Sequence, residues 1–449
     1  MKKLLRSACV LAVFTLILAG QDFSGTIGKD RQPHIAIPDF RGSGDAQKFM
    51  AVFNQTLWND VNSSGLLRMV PKTSDPLNVP QQPSDFSATS TPGQNLGGRA
   101  MSDWSGPPAS ANYLAFGYTG IQSGVFVLRG WLYDLTQTTP AAAEVIGKTY
   151  VGSVDEAGAR KTAHEFAADI IARFGGKSLF GTHIYFVRQA ALNAPKEIWV
   201  MDWDGGNQRQ LTHFNSTSIE PAVSADGSRI AFTSYAKVSP GIFVFATDPL
   251  RDLHFYNQSA SVNETPSFSP DGKQIIYASS AGGCCRIFIA NLDGSGFKPI
   301  THSTYIDVEP KINPKTGNDV VFVSGRSGPQ QIYHMNIDGG DIERLSDGTG
   351  EASNPSWHPD GQFIAFAWTR GFAAGKFNIF TMDVASRRYV QLTHDEGKNE
   401  NPSWAPDGVH LAFASTRTGQ TQIYTMLGDG TQPTRLTTQG RNFSPVWGK

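Results

Sequence analysis

The chain has little cysteine, no surplus of either charge and, beyond its first twenty residues, no long apolar run. Of three cysteines, Cys9 lies near the N-terminus and Cys284 and Cys285 are adjacent. Adjacent cysteines rarely bond to each other, because the ring they close is strained. Neither a disulfide framework nor a metal set fits this spacing, so the fold must rest on its own core. The 38 basic and 39 acidic residues nearly cancel. That balance excludes a polyanion-binding surface over the whole chain and argues against nucleic acid as a partner. Several catalytic signatures are missing as well. No G-x-S-x-G nucleophile elbow occurs, and no phosphate-binding loop. "HEFAA" at His164 lacks the second histidine of a zinc protease, so His164 is read as helix surface. The "GSG" tripeptides at Gly42 and Gly294 are too weak to name a phosphate site.

What is present begins with "MKKLLRSACVLAVFTLILAG", residues 1–20. Lys2, Lys3 and Arg6 form a positive region, Val10 to Leu18 an apolar core, and Ala19-Gly20 a small-residue end. This reads as a secretory signal peptide. A membrane anchor is the alternative, but the run falls short of the ~20 residues a spanning helix needs. Cys9 does not sit where lipid anchoring would place it. The mature chain is therefore expected to be exported, soluble and not inserted in a membrane.

The length of 449 residues suits two or three domains. The 46 glycines and 26 prolines suit many strands and tight turns. A phrase recurs: "TPSFSPDGKQIIYAS" from Thr265, "NPSWHPDGQFIAFAW" from Asn354 and "NPSWAPDGVHLAFAS" from Asn401. Aligning it gives Pro221, Pro266, Pro310, Pro355, Pro402 and Pro445, with a period near 45 residues. Two residues after each proline stands a bulky apolar residue: Val223, Phe268, Ile312, Trp357, Trp404, Trp447. A Pro/Asp-Gly turn follows, then β-rich runs such as "RIAFTS" and "QIIYAS", a third run such as "QIYTMLGDG", and a closing "QLTH"-like piece. Four short strands per unit is the content of one β-propeller blade. The first unit, from Gly181, lacks its Pro-x-bulky strand, and the chain ends on "SPVWGK". The last strand is thus expected to complete the first blade and leave no open sheet edge. Six phrases predict six blades over residues 176–449. The prolines and Asp-Gly pairs are turn chemistry, and the bulky residues should pack blade on blade; no phrase residue is a catalyst.

Residues 34–175 carry no repeat and read as a small α/β domain. "HIAIPDF" is a buried strand, and "DAQKFMAVFNQTLWNDVNSSG" a helix with Phe49, Phe53 and Leu57 on one face. "LLRMV", "YLAFGYTG", "VFVLRGWLYDL" and "VIGKTYVG" are strands, and "DEAGARKTAHEFAADIIARF" is a closing amphipathic helix. Residues 71–110 form a long loop with a short helix, and 175–181 a hinge. Residues 21–33 form a flexible arm.

One constellation stands out. In a propeller the loops that descend into the inner strands share one face. Here they carry Glu220, Glu264, Glu309, Glu351 with Asn354, Glu400 with Asn401, and in the sixth Arg441 with Asn442. The same loops begin with His213, His302 and His394. Two readings stand: a solvated rim with no duty, or a site for a partner or cation. An acidic mouth attracts basic groups or Ca²⁺, though a ring of side chains from separate blades is wide for one small ion.

The leader, the small α/β domain opening "IAIPDF" and six proline phrases closed by "SPVWGK" together resemble the TolB family, the periplasmic component of the Tol–Pal system. The resemblance implies a non-enzymatic adaptor. Its propeller mouth would bind Pal, the peptidoglycan-associated lipoprotein. Its N-terminal region would engage TolA in the inner membrane, in support of outer-membrane integrity and constriction at division. Some colicins exploit the same mouth in that family, and a calcium ion can sit in the channel. Carried onto this chain, the lipoprotein-facing candidates are Glu264, Glu309, Asn354, Glu400 and His302. The arm candidates run from Gln21 to Pro33, with Gln21, Asp22, Phe23, Lys29, Asp30 and Arg31 as the polar and aromatic contacts. No obligate cofactor and a monomer are expected. The alternatives are an exported propeller enzyme or sensor acting on glycans or peptides, and a generic exported scaffold.

Overall fold

A computed structural model describes residues 32–449 except 88–95, 238, 249, 254–261, 284 and 395. Six four-stranded antiparallel sheets surround one axis. Their inner strands are Ser218–Val223, Asn263–Phe268, Asp307–Ile312, Ala352–Trp357, Asn399–Trp404 and Arg441–Gly448. The neighbouring second strands, such as Gln274–Ser279 and His410–Ser415, are buried almost end to end. They are sandwiched on both faces, so their sequences are continuous apolar runs rather than alternating ones. The turn between first and second strands depends on its aspartate. Asp226 Oδ1 accepts from Ser224 Oγ at 2.6 Å and from Ser228 N at 3.0 Å. Those bonds hold its carboxyl down at about 2. Gly227 beside it takes φ +74°, which the turn requires.

The bulky residue two places after each proline packs between blades. Trp357 joins Val321 and Val323 of the preceding blade, and Trp404 joins Ala365 and Ala367. The "LTH"-like pieces contribute a second recurring bond. Thr212, Thr301, Thr393 and Thr437 each accept at Oγ1, at 2.8–2.9 Å, from the backbone N–H of the third-strand isoleucine. Ser346 does the same for Ile332 at 3.0 Å.

The ring closes as the sequence predicts. Arg441–Gly448 pairs antiparallel with His183–Gln189, which continues into Lys196–Asp202 and Arg209–Gln210. Trp447 locks the seam, donating its indole N–H to Thr182 Oγ1 at 2.9 Å.

The N-terminal domain is a mixed sheet in the order Arg68–Met69, His34–Ala36, Tyr113–Gln122, Val125–Asp134, Glu144–Gly152. Two helices, Met50–Ser63 and Glu156–Arg173, cover one face and bury Phe53, Leu57, Phe166 and Ile170 completely. The strand read from "HIAIPDF" pairs only over His34–Ala36. Pro38, without an N–H, cannot extend the ladder, although Ile37 remains buried. The helix read from Asp45 starts as a 3₁₀ turn, Gly44–Phe49, and becomes α-helical at Met50.

His164 is a correction. Read as helix surface, it is buried, with Nδ1 2.6 Å from Asp60 Oδ2. Its ring stacks on Phe180 at 5.1 Å and meets Trp203 of the propeller at 5.9 Å. The helix face that carries it is covered by a second domain, which no helical periodicity reveals. Burial pushes the Asp60 carboxyl up, against the pull of His164. The interface is completed by the Arg160–Asp204 ion pair and by His410, whose Nε2–H donates to Ser63 O at 2.8 Å. Among the described residues no helix is long and apolar enough to cross a membrane.

Removing the seam residue in Trp447→Ala should cost about 3–5 kcal/mol, seen as a lower urea midpoint. An unchanged midpoint would mean that the ring does not depend on this closure.

Candidate functional site: the axial channel

Each inner strand carries a register shift at the same place, between Ile219 and Ala222, Glu264 and Ser267, Val308 and Lys311, Ser353 and Ser356, Glu400 and Ser403, and Phe443 and Val446. The residue before proline sits in each bulge in the left-handed region. The φ angles are +55° at Glu220, +54° at Thr265, +53° at Glu309, +54° at Asn354, +51° at Asn401 and +45° at Ser444. A bulge suits proline, which has no N–H to lose from the ladder. It also turns these six side chains toward the axis.

There they tie blade to blade. Glu220 Oε2 accepts from Thr265 N at 2.9 Å, and Thr265 Oγ1 accepts from Glu309 N at 3.1 Å. Glu309 accepts twice from Asn354, at Oε2 from the backbone N (2.5 Å) and at Oε1 from Nδ2 (3.0 Å). Asn354 Oδ1 accepts from Asn401 N at 3.3 Å. Four successive blade junctions are thus bridged by one pattern.

The ring lines a cavity of 370 Å³ on the axis, together with five of the six prolines and the six residues that follow them. The position after proline is Ala222, Ser267, Lys311, Ser356, Ser403 and Val446. Five are small; Lys311 alone is long and charged. Burial pushes the Glu309 carboxyl up to about 7, with the Glu220 charge adding to it and Asn354 and Lys311 opposing. Burial pulls the Lys311 ammonium below its usual range, while Glu309 and Glu220 pull the other way. No ion pair joins Lys311 to either carboxylate among the described residues.

Of the residues expected at the mouth, Glu220, Glu309, Asn354 and Asn401 line this cavity and the others do not. Glu264 stands one residue ahead of the ring, half-buried, its carboxyl raised by burial and then by Glu220. Glu400 also stands one residue early and pairs with Lys398 at 2.7 Å. His213, His302 and His394 are exposed, each following a buried threonine. Arg441 stacks on Phe443 at 5.5 Å. Four of the ten thus line the channel wall, while Glu264 and Glu400 stand one residue early on strands whose side chains alternate direction, and the three histidines lie in the loops that lead into the inner strands. The reading missed Thr265, Ser444 and Lys311. Strict counting from the proline would have found them. The arm candidates Gln21, Asp22, Phe23, Lys29, Asp30 and Arg31 lie outside the described residues. Gln32 is already tied to the domain, donating to Gly65 O at 2.6 Å.

Calcium takes six to eight oxygens at about 2.3–2.6 Å. The channel offers two carboxylates, both bonded to N–H groups of neighbouring blades, and a lysine lines the same cavity. Among the described residues no three His, Cys, Asp or Glu side chains converge as a metal set. These residues do not fit the ion.

A six-bladed propeller with a small α/β domain packed on one face, and a polar channel built from blade-linking residues, defines a two-domain β-propeller protein. Residues 173–372 and 343–449 match the model of the TolB β-propeller domain. The Tol–Pal system protein TolB of Gluconobacter oxydans is 30% identical over 363 residues, spanning 79% of this chain and 72% of that one. A TolB homolog of Chlorobium luteolum is 30% identical over 272 residues, 60% of this chain and 57% of the relative's length. The crystal structure of TolB from Acinetobacter baumannii superposes with a TM-score of 0.73 at 22% identity, covering 93% of this chain and 97% of that one. The chain belongs to the TolB family.

Two outcomes test the ring. Thr265→Val keeps the shape and removes the acceptor of Glu309 N–H, which should cost about 1–3 kcal/mol; Thr265→Asn, an acceptor that tolerates positive φ, should cost less. Equal losses would dismiss the bond. Glu309 should make stability fall as pH rises. Its folded carboxyl titrates near 7 and its unfolded one near 4.5. The favourable contribution is therefore full below 4.5 and lost through 7, by at most about 3 kcal/mol. Denaturant midpoints at pH 5 and 8 should converge in Glu309→Gln.

Proposed function

We propose that this chain is a non-enzymatic periplasmic adaptor of the Tol–Pal system. Its propeller binds a Pal-like lipoprotein domain at the mouth of the axial channel. Its N-terminal region engages a TolA-like inner-membrane protein, and the assembly supports outer-membrane integrity and constriction at division. The observation that carries this reading is the channel itself. Its polar groups are committed to joining blades, and its carboxylates are distributed around an axis rather than set as an acid–base pair across a bond. Membership of the TolB family supports the adaptor role, and the signal-like leader supports export.

The face away from the N-terminal domain supports a protein partner. The loop leading into the third inner strand exposes Tyr305 by 52% and Ile306 by 55%, three and four residues beyond His302. Exposed aromatic and apolar side chains of this kind are the usual anchors of a protein interface. His302 and Glu264 then act from the rim, where charge steers approach more than it holds.

Titration calorimetry of the purified chain with a soluble Pal-like domain should give micromolar or tighter binding. Tyr305→Ala with Ile306→Asp should weaken it tenfold or more, about 1.4 kcal/mol, and leave the melting temperature in place, as surface changes do. No binding by the wild type would refute the adaptor role; full binding by the double variant would move the interface elsewhere.

A further inference from the structure

We infer that the axial channel of this chain is built around a resident cation, the ammonium of Lys311, which occupies the role that an exchangeable calcium ion would play. The argument starts from position. Five of the six residues after the ring prolines are small, and two of them do a definite job: Ser356 Oγ accepts from Trp404 N at 3.2 Å, and Ser403 Oγ accepts from Trp447 N at 3.0 Å. Lysine has no acceptor. At Lys311, as at Ala222 and Val446, no side-chain acceptor makes that link between blades, and here an amine joins the cavity lining instead. The neighbouring blade is held by a different bond, from Trp357 Nε1 to Lys311 O at 2.9 Å.

The charge has a purpose in its surroundings. Glu220 and Glu309 line the same cavity, and two carboxylates confined together repel each other. The Lys311 ammonium is coupled electrostatically to both. Its three N–H donors meet no side-chain acceptor among the described residues, so it stands in the channel as a counter-ion rather than in one tight pair. A divalent cation brought into that space would face the ammonium at close range. Without the ammonium, the channel would hold two carboxylates with spare lone pairs. The amide oxygens of Asn354 and Asn401 and the hydroxyls of Thr265 and Ser444 would stand beside them. That is an oxygen-lined pocket with net negative charge, of the kind that attracts Ca²⁺.

The test uses the full mature chain and calcium alone, so its failure leaves the adaptor reading untouched. Wild type should show no saturable heat with CaCl₂ and the same melting temperature in 1 mM calcium as in EDTA. Lys311→Ser, which restores the residue found in the neighbouring blades, should gain saturable 1:1 calcium binding and a calcium-dependent rise in melting temperature. Adding Glu309→Gln should abolish the gain. If Lys311→Ser does not fold, Lys311→Met, which keeps the apolar stem, takes its place. Stoichiometric calcium binding by the wild type would overturn the inference. So would a folded Lys311 variant that binds no more calcium than the wild type.

Discussion

The propeller depends on a side chain reaching from one inner strand to the backbone of the next, at a residue held in an unfavourable conformation. A non-glycine residue in the left-handed region is disfavoured by about 1–2 kcal/mol, and a β-branched one such as Thr265 more than most. Glycine would remove that cost. The chain uses glycine freely at positive φ elsewhere, as at Gly227 and Gly361, yet none of the six ring positions is glycine. Glycine has no side chain to accept the next blade's N–H. Near the axis, where the cavity takes the place of a core, those bonds fix the spacing between blades. The left-handed turn is the geometry that aims the acceptor.

The two faces of the ring are not equivalent. The turns between first and second strands, and between third and fourth, point one way. His410, at the start of a second strand, and Asp204, after a third, meet the N-terminal domain there through Ser63 and Arg160. The loops that enter the inner strands point the other way and expose Tyr305 and Ile306. The axial ring lies between, and its bonds run around the axis rather than along it. The N-terminal domain thus docks through polar and ionic contacts over buried His164 and Asp60, while the far face keeps apolar side chains in water. One face is already satisfied within the chain, and the other retains the surface that a partner would cover.

The architecture was legible because each blade repeats the same local chemistry. Proline sets a bulge, a glycine-containing turn follows, and a bulky apolar residue two places after proline sets the packing between blades, so the period declares the ring and the unmatched last strand declares its closure. The channel was harder to read, because charge is conspicuous in a sequence and position is not. Glu264 and Glu400 drew attention as acids, while Thr265, one residue later, holds the ring position. His164 failed for a different reason. A helix face can be covered by a domain far along the chain, and periodicity reports only that the face exists.

Lys311 shows where the two kinds of reading meet. In sequence, "EPKIN" differs from "NPSW" by several residues at once, and nothing marks the lysine as the important change. The strand geometry supplies the missing step, since the residue after proline faces the cavity in every blade. A sixfold repeat makes its exceptions informative. Where five blades keep a small residue on the axis, one long cationic side chain changes the charge of the whole channel. An axial cavity is shared by all the blades, so that single departure acts on every group around the ring.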